Sequence, residues 1–117
     1  NMNVFGNDYD TTDGTGVRDY IHVTDLATAH VKAIEYLNDN KSIILNLATG
    51  ESHSVLDVIN KTKEISGKEI PYNIVERRPG DPAELYAGTT LAFDQLNWRV
   101  KHSDLNALIK TTWQVYK

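Results

Sequence analysis

At 117 residues the chain has room for one domain at most, with 40% hydrophobic and 24% charged residues, an ordinary balance for a globular protein. Its net charge of -4 comes without a basic stripe, which argues against polymeric nucleic acid as a partner, and the lack of cysteine excludes disulfides and thiolate metal sites. No apolar run approaches the roughly 18 residues of a membrane span and the first residues form no signal segment, so a soluble, cytoplasmic chain without a membrane partner is expected.

In chain order, residues 3–5 read as a short strand and residues 17–23 as a longer one. Residues 24–40 carry Leu26, His30, Ala33, Ile34 and Leu37 at spacings of three and four, the period of a helix, with Thr24 as its N-cap and Asp25 near its positive end. His30 falls on the apolar face, the position of a hydrogen-bonded core histidine. Residues 43–48 predict another strand. Residues 54–66 predict a second helix, with Ser54 and Asp57 approximating a capping box and Gly67 at its exit. Strands at 72–76 and 85–87, a short helix near 90–97 and a last helix over 105–116 complete a small mixed α+β layer domain spanning residues 1–117. Trp98 and Trp113 read as core or interface anchors.

Two runs can carry ligand chemistry. In Asp13-Gly14-Thr15-Gly16-Val17-Arg18-Asp19 a flexible turn feeds a strand bearing an arginine, whose planar fork matches phosphate oxygens. A loop in which Arg18 merely pairs with Asp19 or another carboxylate fits the composition equally well. In Glu76-Arg77-Arg78-Pro79-Gly80-Asp81-Pro82 two arginines enter a rigid turn followed by a carboxylate, a preorganised place for phosphate and hydroxyl contacts. A surface turn with solvated arginines fits that run too. His22, His30, His53 and His102 have no metal-ligand spacing, and no arrangement of a catalytic triad is suggested.

Together these runs resemble the UDP-glucose 4-epimerases of the extended short-chain dehydrogenase/reductase superfamily. Val4-Phe5-Gly6-Asn7-Asp8-Tyr9 followed by the run from Asp13 through Tyr20-Ile21-His22-Val23 is similar to that family's signature, and Asn46-Leu47, Ser54-Val55-Leu56-Asp57-Val58, Arg78-Pro79-Gly80-Asp81 and Leu96-Asn97-Trp98 match its later blocks in order. The resemblance implies the carboxy-terminal, substrate-binding part of a Rossmann-type enzyme. Arg18 and Arg78 would then bind the UDP pyrophosphate and Asp81 the ribose hydroxyls. Backbone at Asn3, Val4 and Phe5 would line the uracil site, and Leu85 would lie near the hexose, where the family often has tyrosine.

The same resemblance implies NAD as cofactor of the intact enzyme, UDP-glucose and UDP-galactose as ligands, and an amino-terminal NAD-binding domain as the missing partner. This chain has no Gly-x-x-Gly-x-x-Gly run and no Tyr-x-x-x-Lys pair, so by itself it is expected to bind no NAD and catalyse nothing. Separation from that partner would bare an apolar face and favour self-association. The alternatives are a stand-alone nucleotide-sugar or protein-binding module and part of another nucleotide-sugar epimerase or dehydratase.

Overall fold

Three of the helices begin where a side chain takes over an unpaired backbone amide. The computed structural model describes residues 1–40 and 42–117. Its elements are β1 (Met2–Phe5), β2 (Val17–Arg18), α1 (Val23–Asp39), β3 (His53–Ser54), α2 (Val55–Ser66), β4 (Tyr72–Val75), β5 (Glu84–Leu85), α3 (Thr90–Leu96) and α4 (Leu105–Tyr116). This is the small mixed α/β arrangement expected. At α2 the Ser54 hydroxyl accepts the Asp57 amide at 3.0 Å while the Asp57 carboxylate accepts the Ser54 amide at 2.9 Å, a capping box in which aspartate replaces glutamate. Gly67, at φ 67°, ends that helix as expected. Asp104 caps α4 by accepting the Ala107 amide at 2.9 Å.

Helix α1 starts two residues earlier than a Thr24 cap implies. Its cap is His22, whose Nδ1 accepts the Thr24 amide at 3.0 Å, so an imidazole lone pair does the work expected of the Thr24 hydroxyl. Its apolar residues also divide between two faces. Ala29, Ala33 and Tyr36 join Ala92, Leu96 and Trp98 in the core, whereas Val23, Val31, Ile34 and Leu37 are exposed. His30 therefore lies at the surface, with its Nδ1 2.7 Å from the Leu26 carbonyl, and is not the core histidine expected. Trp98 is buried as an anchor, its indole N–H donating to the Asp25 carbonyl and the Thr28 hydroxyl at 3.0 Å each. Trp113 is half-buried on α4, under the Lys68 ammonium.

The strands form two small sheets. β1 runs parallel to β4, with Phe5 opposite Val75, and β2 lies between an antiparallel β3 and a parallel β5. Two expected strands are not realised as such. The run 17–23 pairs only through Arg18, because Asp19 turns away to hold the Thr49 and Gly50 amides and His22 is already a helix cap. The run 43–48 keeps a strand's alternation, with Leu45 and Leu47 packed on the α1–α3 core and Ile44 94% exposed, yet it belongs to no sheet among the described residues. With these faces uncovered the radius of gyration is 16.6 Å, above the roughly 13 Å of a compact chain this long.

One buried carboxylate joins the helical elements. Asp25 is 1% exposed and accepts from the Lys101 and His102 amides at 3.0 and 2.9 Å and from the Ser103 hydroxyl at 2.5 Å. Burial alone would raise its pKa, but these bonds outweigh it and the carboxyl titrates below its ordinary value. A depressed folded-state pKa means stability that is fully present above the ordinary carboxylate range and lost as pH falls through the lowered value. Asp25→Ala, which strands two backbone donors, should cost about 3 kcal/mol at neutral pH. Urea unfolding of both proteins should show that gap narrowing in acid, where the wild-type carboxyl is itself protonated.

Candidate functional site

Parallel pairing places the carboxyl ends of β1 and β4 side by side, so the segments that follow them leave from one edge. After β1 the chain turns through residues 6–16. Gly14, at φ 83°, accepts the Tyr9 amide at its carbonyl at 2.9 Å, and its α-carbon lies so close to Asn7 that a Cβ would stand 2.0 Å from the Asn7 carbonyl oxygen. Asp13 braces the same turn, accepting from the Thr15 amide and hydroxyl at 2.9 and 2.6 Å and from the Ser54 hydroxyl. Desolvation pulls the Asp13 pKa up, yet these donors pull it further down, so its carboxyl stays ionised below the ordinary range. Thr15 is fully buried beneath, and the turn delivers Gly16 and Arg18 to β2.

The Arg18 guanidinium folds back over Gly16, where a Cβ would lie 3.4 Å from its Nη1. It donates to the Val17 carbonyl at 2.8 Å and the Pro82 carbonyl at 3.1 Å. It does not pair with Asp19, whose carboxylate is taken by Thr49 and Gly50, and no carboxylate among the described residues lies in ion-pair range of Arg18. On the other side, Pro79 and Gly80 make a reverse turn with Gly80 at φ 82° and the Asp81 amide 3.3 Å from the Arg78 carbonyl. That turn sets the Arg78 Nε 2.8 Å from the Asp81 Oδ2 and its guanidinium 4.7 Å from the centre of the Phe5 ring.

These side chains meet. A cavity of about 160 Å³ is lined by Asn3, Val4, Phe5, Arg18, Arg78 and Asp81, six of the seven residues singled out from the sequence. Leu85 is the seventh; it stands beside Arg18 in register on β5, 58% exposed and outside this cavity. Tyr9, Gly16, Tyr20 and Val55 also line it and were not singled out. For Tyr20 the signal was its place two residues after Arg18 in a strand-like run, which points it to the same side. Burial raises the Tyr20 phenol above its ordinary pKa, with Arg18 opposing and Asp57 adding to the rise, so the cavity wall stays neutral there. Two guanidinia face one carboxylate, a net positive pocket with aromatic and strand-edge walls, suited to an anionic ligand that also carries a flat group. Larger hollows lie elsewhere, such as one of about 370 Å³ between Ala48 and α3, but none brings two arginines together.

Among the described residues α1, α2 and α4 are closed by the side chains of His22, Ser54 and Asp104, and α3, which has no side-chain cap, follows a single glycine, Gly88, and not a glycine-rich turn. No group of three His, Cys, Asp or Glu side chains among these residues is placed to hold a metal ion.

Residues 2–48 match the model of the NAD dependent epimerase/dehydratase family. The chain is 47% identical over 114 residues to a UDP-glucose 4-epimerase of Bacillus subtilis (strain 168), an alignment covering 97% of this chain and 33% of that protein. Its fold superposes with a TM-score of 0.91 on a UDP-glucose-4-epimerase from Stenotrophomonas maltophila solved with bound NAD and formylated UDP-arabinopyranose, at 49% identity, over 97% of this chain and 34% of that one. A UDP-glucose 4-epimerase from Bifidobacterium longum, solved with NAD+ and UDP, superposes at a TM-score of 0.89 and 43% identity, over 98% and 35%. The chain thus spans about a third of the length of the relatives it matches.

Gly14 and Gly80, two of the left-handed glycines around the site, should respond differently to substitution. Gly14→Ala drives a methyl into the Asn7 carbonyl and should cost upwards of about 3 kcal/mol, while Gly80→Ala, with nothing within 4 Å, meets only the backbone penalty of about 1–2 kcal/mol. Denaturant titrations of the two variants measure the difference directly.

Proposed function

We propose that this chain belongs to the NAD dependent epimerase/dehydratase family and is the unit of a UDP-glucose 4-epimerase that grips the nucleotide of the UDP-sugar. The observation that carries this reading is the convergence of Arg18 and Arg78 on one cavity from opposite sides, from segments sixty residues apart in sequence. A pyrophosphate carries two negative charges close together, and two arginines supply flat, charge-assisted donors for both phosphates. Asp81 gives one carboxylate oxygen to Arg78 and keeps Oδ1 for ribose hydroxyls. The strand edge at Asn3, Val4 and Phe5 offers backbone groups and an aromatic ring to the uracil. Leu85, on the strand next to Arg18, would lie near the hexose that extends from the pyrophosphate.

Activity belongs to the intact enzyme, which in this reading interconverts UDP-glucose and UDP-galactose in the galactose metabolism of the cytoplasm. NAD supplies the hydride chemistry at the sugar C4 there, and none of its steps can be drawn from these residues. Residues 1–117 act as one substrate-binding domain that by itself turns nothing over. The exposed stripe Val23, Ile34 and Leu37 on α1, together with Ile44, is the face that the NAD-binding part would cover.

Two experiments test this. Calorimetric titration of the chain with UDP-glucose should give saturable binding, and Arg18→Ala or Arg78→Ala should each weaken it about 10- to 100-fold, the worth of one lost charge-assisted contact. Binding that survives both substitutions, or that is absent from the folded wild-type chain, counts against the reading. Light scattering should show the average mass rising with concentration, and Ile34→Lys with Leu37→Lys should abolish that rise. A mass that stays monomeric at every concentration removes the support for an uncovered docking face.

A further inference from the structure

The two adjacent arginines point in different directions. Arg78 enters the cavity, whereas Arg77 turns back onto the segment after β1. Its Nε donates to the Asp8 Oδ1 at 2.8 Å and its Nη2 to the Asp8 carbonyl at 2.6 Å. Its guanidinium lies 4.1 Å from the centre of the Tyr9 ring. An exposed ion pair by itself counts for little, but this one is locked at two atoms and stacked as well. The contact is tight enough that a Cβ on Gly6 would sit 2.7 Å from the Arg77 Cγ and 2.9 Å from the Tyr9 Cε2.

Tyr9 is the link to the cavity. It is 7% exposed and forms part of the same wall as Phe5, Arg18 and Arg78. Its buried hydroxyl has no hydrogen-bond partner among the described residues, so nothing grips the ring at its tip. The ring is held by its face, under Arg77, and by its backbone, through the Tyr9 amide on the Gly14 carbonyl. The Gly6 amide on the Val75 carbonyl at 2.9 Å closes the same loop against the end of β4.

We propose that Arg77 is a positioning residue of the nucleotide site: by clamping Asp8 and Tyr9 to the end of β4 it sets the wall against which Phe5 and Arg78 present themselves to the ligand. The proposal rests on the UDP reading of the cavity and divides the labour between neighbours, Arg78 serving the ligand and Arg77 serving the protein. The Asp8 carboxyl, held below its ordinary pKa by the Arg77 hydrogen bond, stays ionised throughout the range in which such a clamp is useful.

Asp8→Ala separates positioning from mere charge. It removes a negative charge near an anion site, so through-space electrostatics alone would tighten UDP binding. A broken clamp weakens it. Calorimetric titration with UDP should show Asp8→Ala and Arg77→Ala each about tenfold weaker than wild type, and the charge-neutral double variant no weaker than either single one. Arg77→Lys, which cannot bind at two atoms and stack together, should recover only part of the loss. Amide hydrogen exchange on the unliganded variants should be faster at Gly6 and Tyr9 and unchanged along α2. Tighter binding by Asp8→Ala, or wild-type affinity in Arg77→Ala, overturns the proposal. If the wild-type chain binds no UDP, the nucleotide reading falls, and exchange at Gly6 and Tyr9 that Arg77→Ala leaves unchanged overturns the clamp as well.

Discussion

The candidate site depends on the parallel pairing of β1 with β4. Parallel strands cannot be joined by a tight hairpin, so residues some seventy apart in sequence come into register, Met2 with Tyr72 and Phe5 with Val75. Their carboxyl ends share an edge, and the two ligand-bearing segments emerge there together. A slip of one residue would turn Val4 out of its buried position and turn the Phe5 ring away from Arg78. The other features of the site, the Asp13 brace and the turn at Pro79 and Gly80, refine the aim of side chains that this pairing has already brought near each other.

Electrostatics at the site follow from what is left unpaired. Asp19, Asp25, Asp13 and Asp8 are each spent on amides, hydroxyls or Arg77, and Asp81 is the one carboxylate among the described residues that lines the cavity. Arg18 leans on backbone carbonyls, which orient it without cancelling its charge. A guanidinium held by carbonyls is preorganised and keeps its charge for an anion. Arg78 gives only its Nε to Asp81 and turns into the cavity, whereas Arg77 spends both Nε and Nη2 on Asp8 and stacks on Tyr9 outside it.

Much of this was legible in the residues. The α2 capping box, the Gly67 exit, the strand at 72–75 and the gathering of Arg18, Arg78 and Asp81 around Phe5 all rest on local chemistry or on runs whose pattern is specific. What was not legible depends on contacts between distant segments. The His22 cap uses a residue type rarely chosen for that task. The exposure of His30 and Ile34 reflects which side of α1 the Trp98 and α3 cluster occupies, and helical spacing alone does not choose the side. Tyr9 escaped notice because its neighbourhood is made by Arg77, from the far end of the chain.

The unpaired run at 43–48 has a consequence for how the chain behaves in solution. Its apolar residues alternate inward and outward as a strand's do, and its backbone N–H and C=O groups have no ladder partner among the described residues. An extended edge of that kind is a template. Any strand of suitable pattern, including the same run in a second molecule, can add to it through backbone hydrogen bonds that ask little of its side chains. Ile43, Ile44 and Leu45 carry no charge to discourage such an addition, and the run contains no proline. Left bare, that edge is therefore also an opening for amyloid-like stacking.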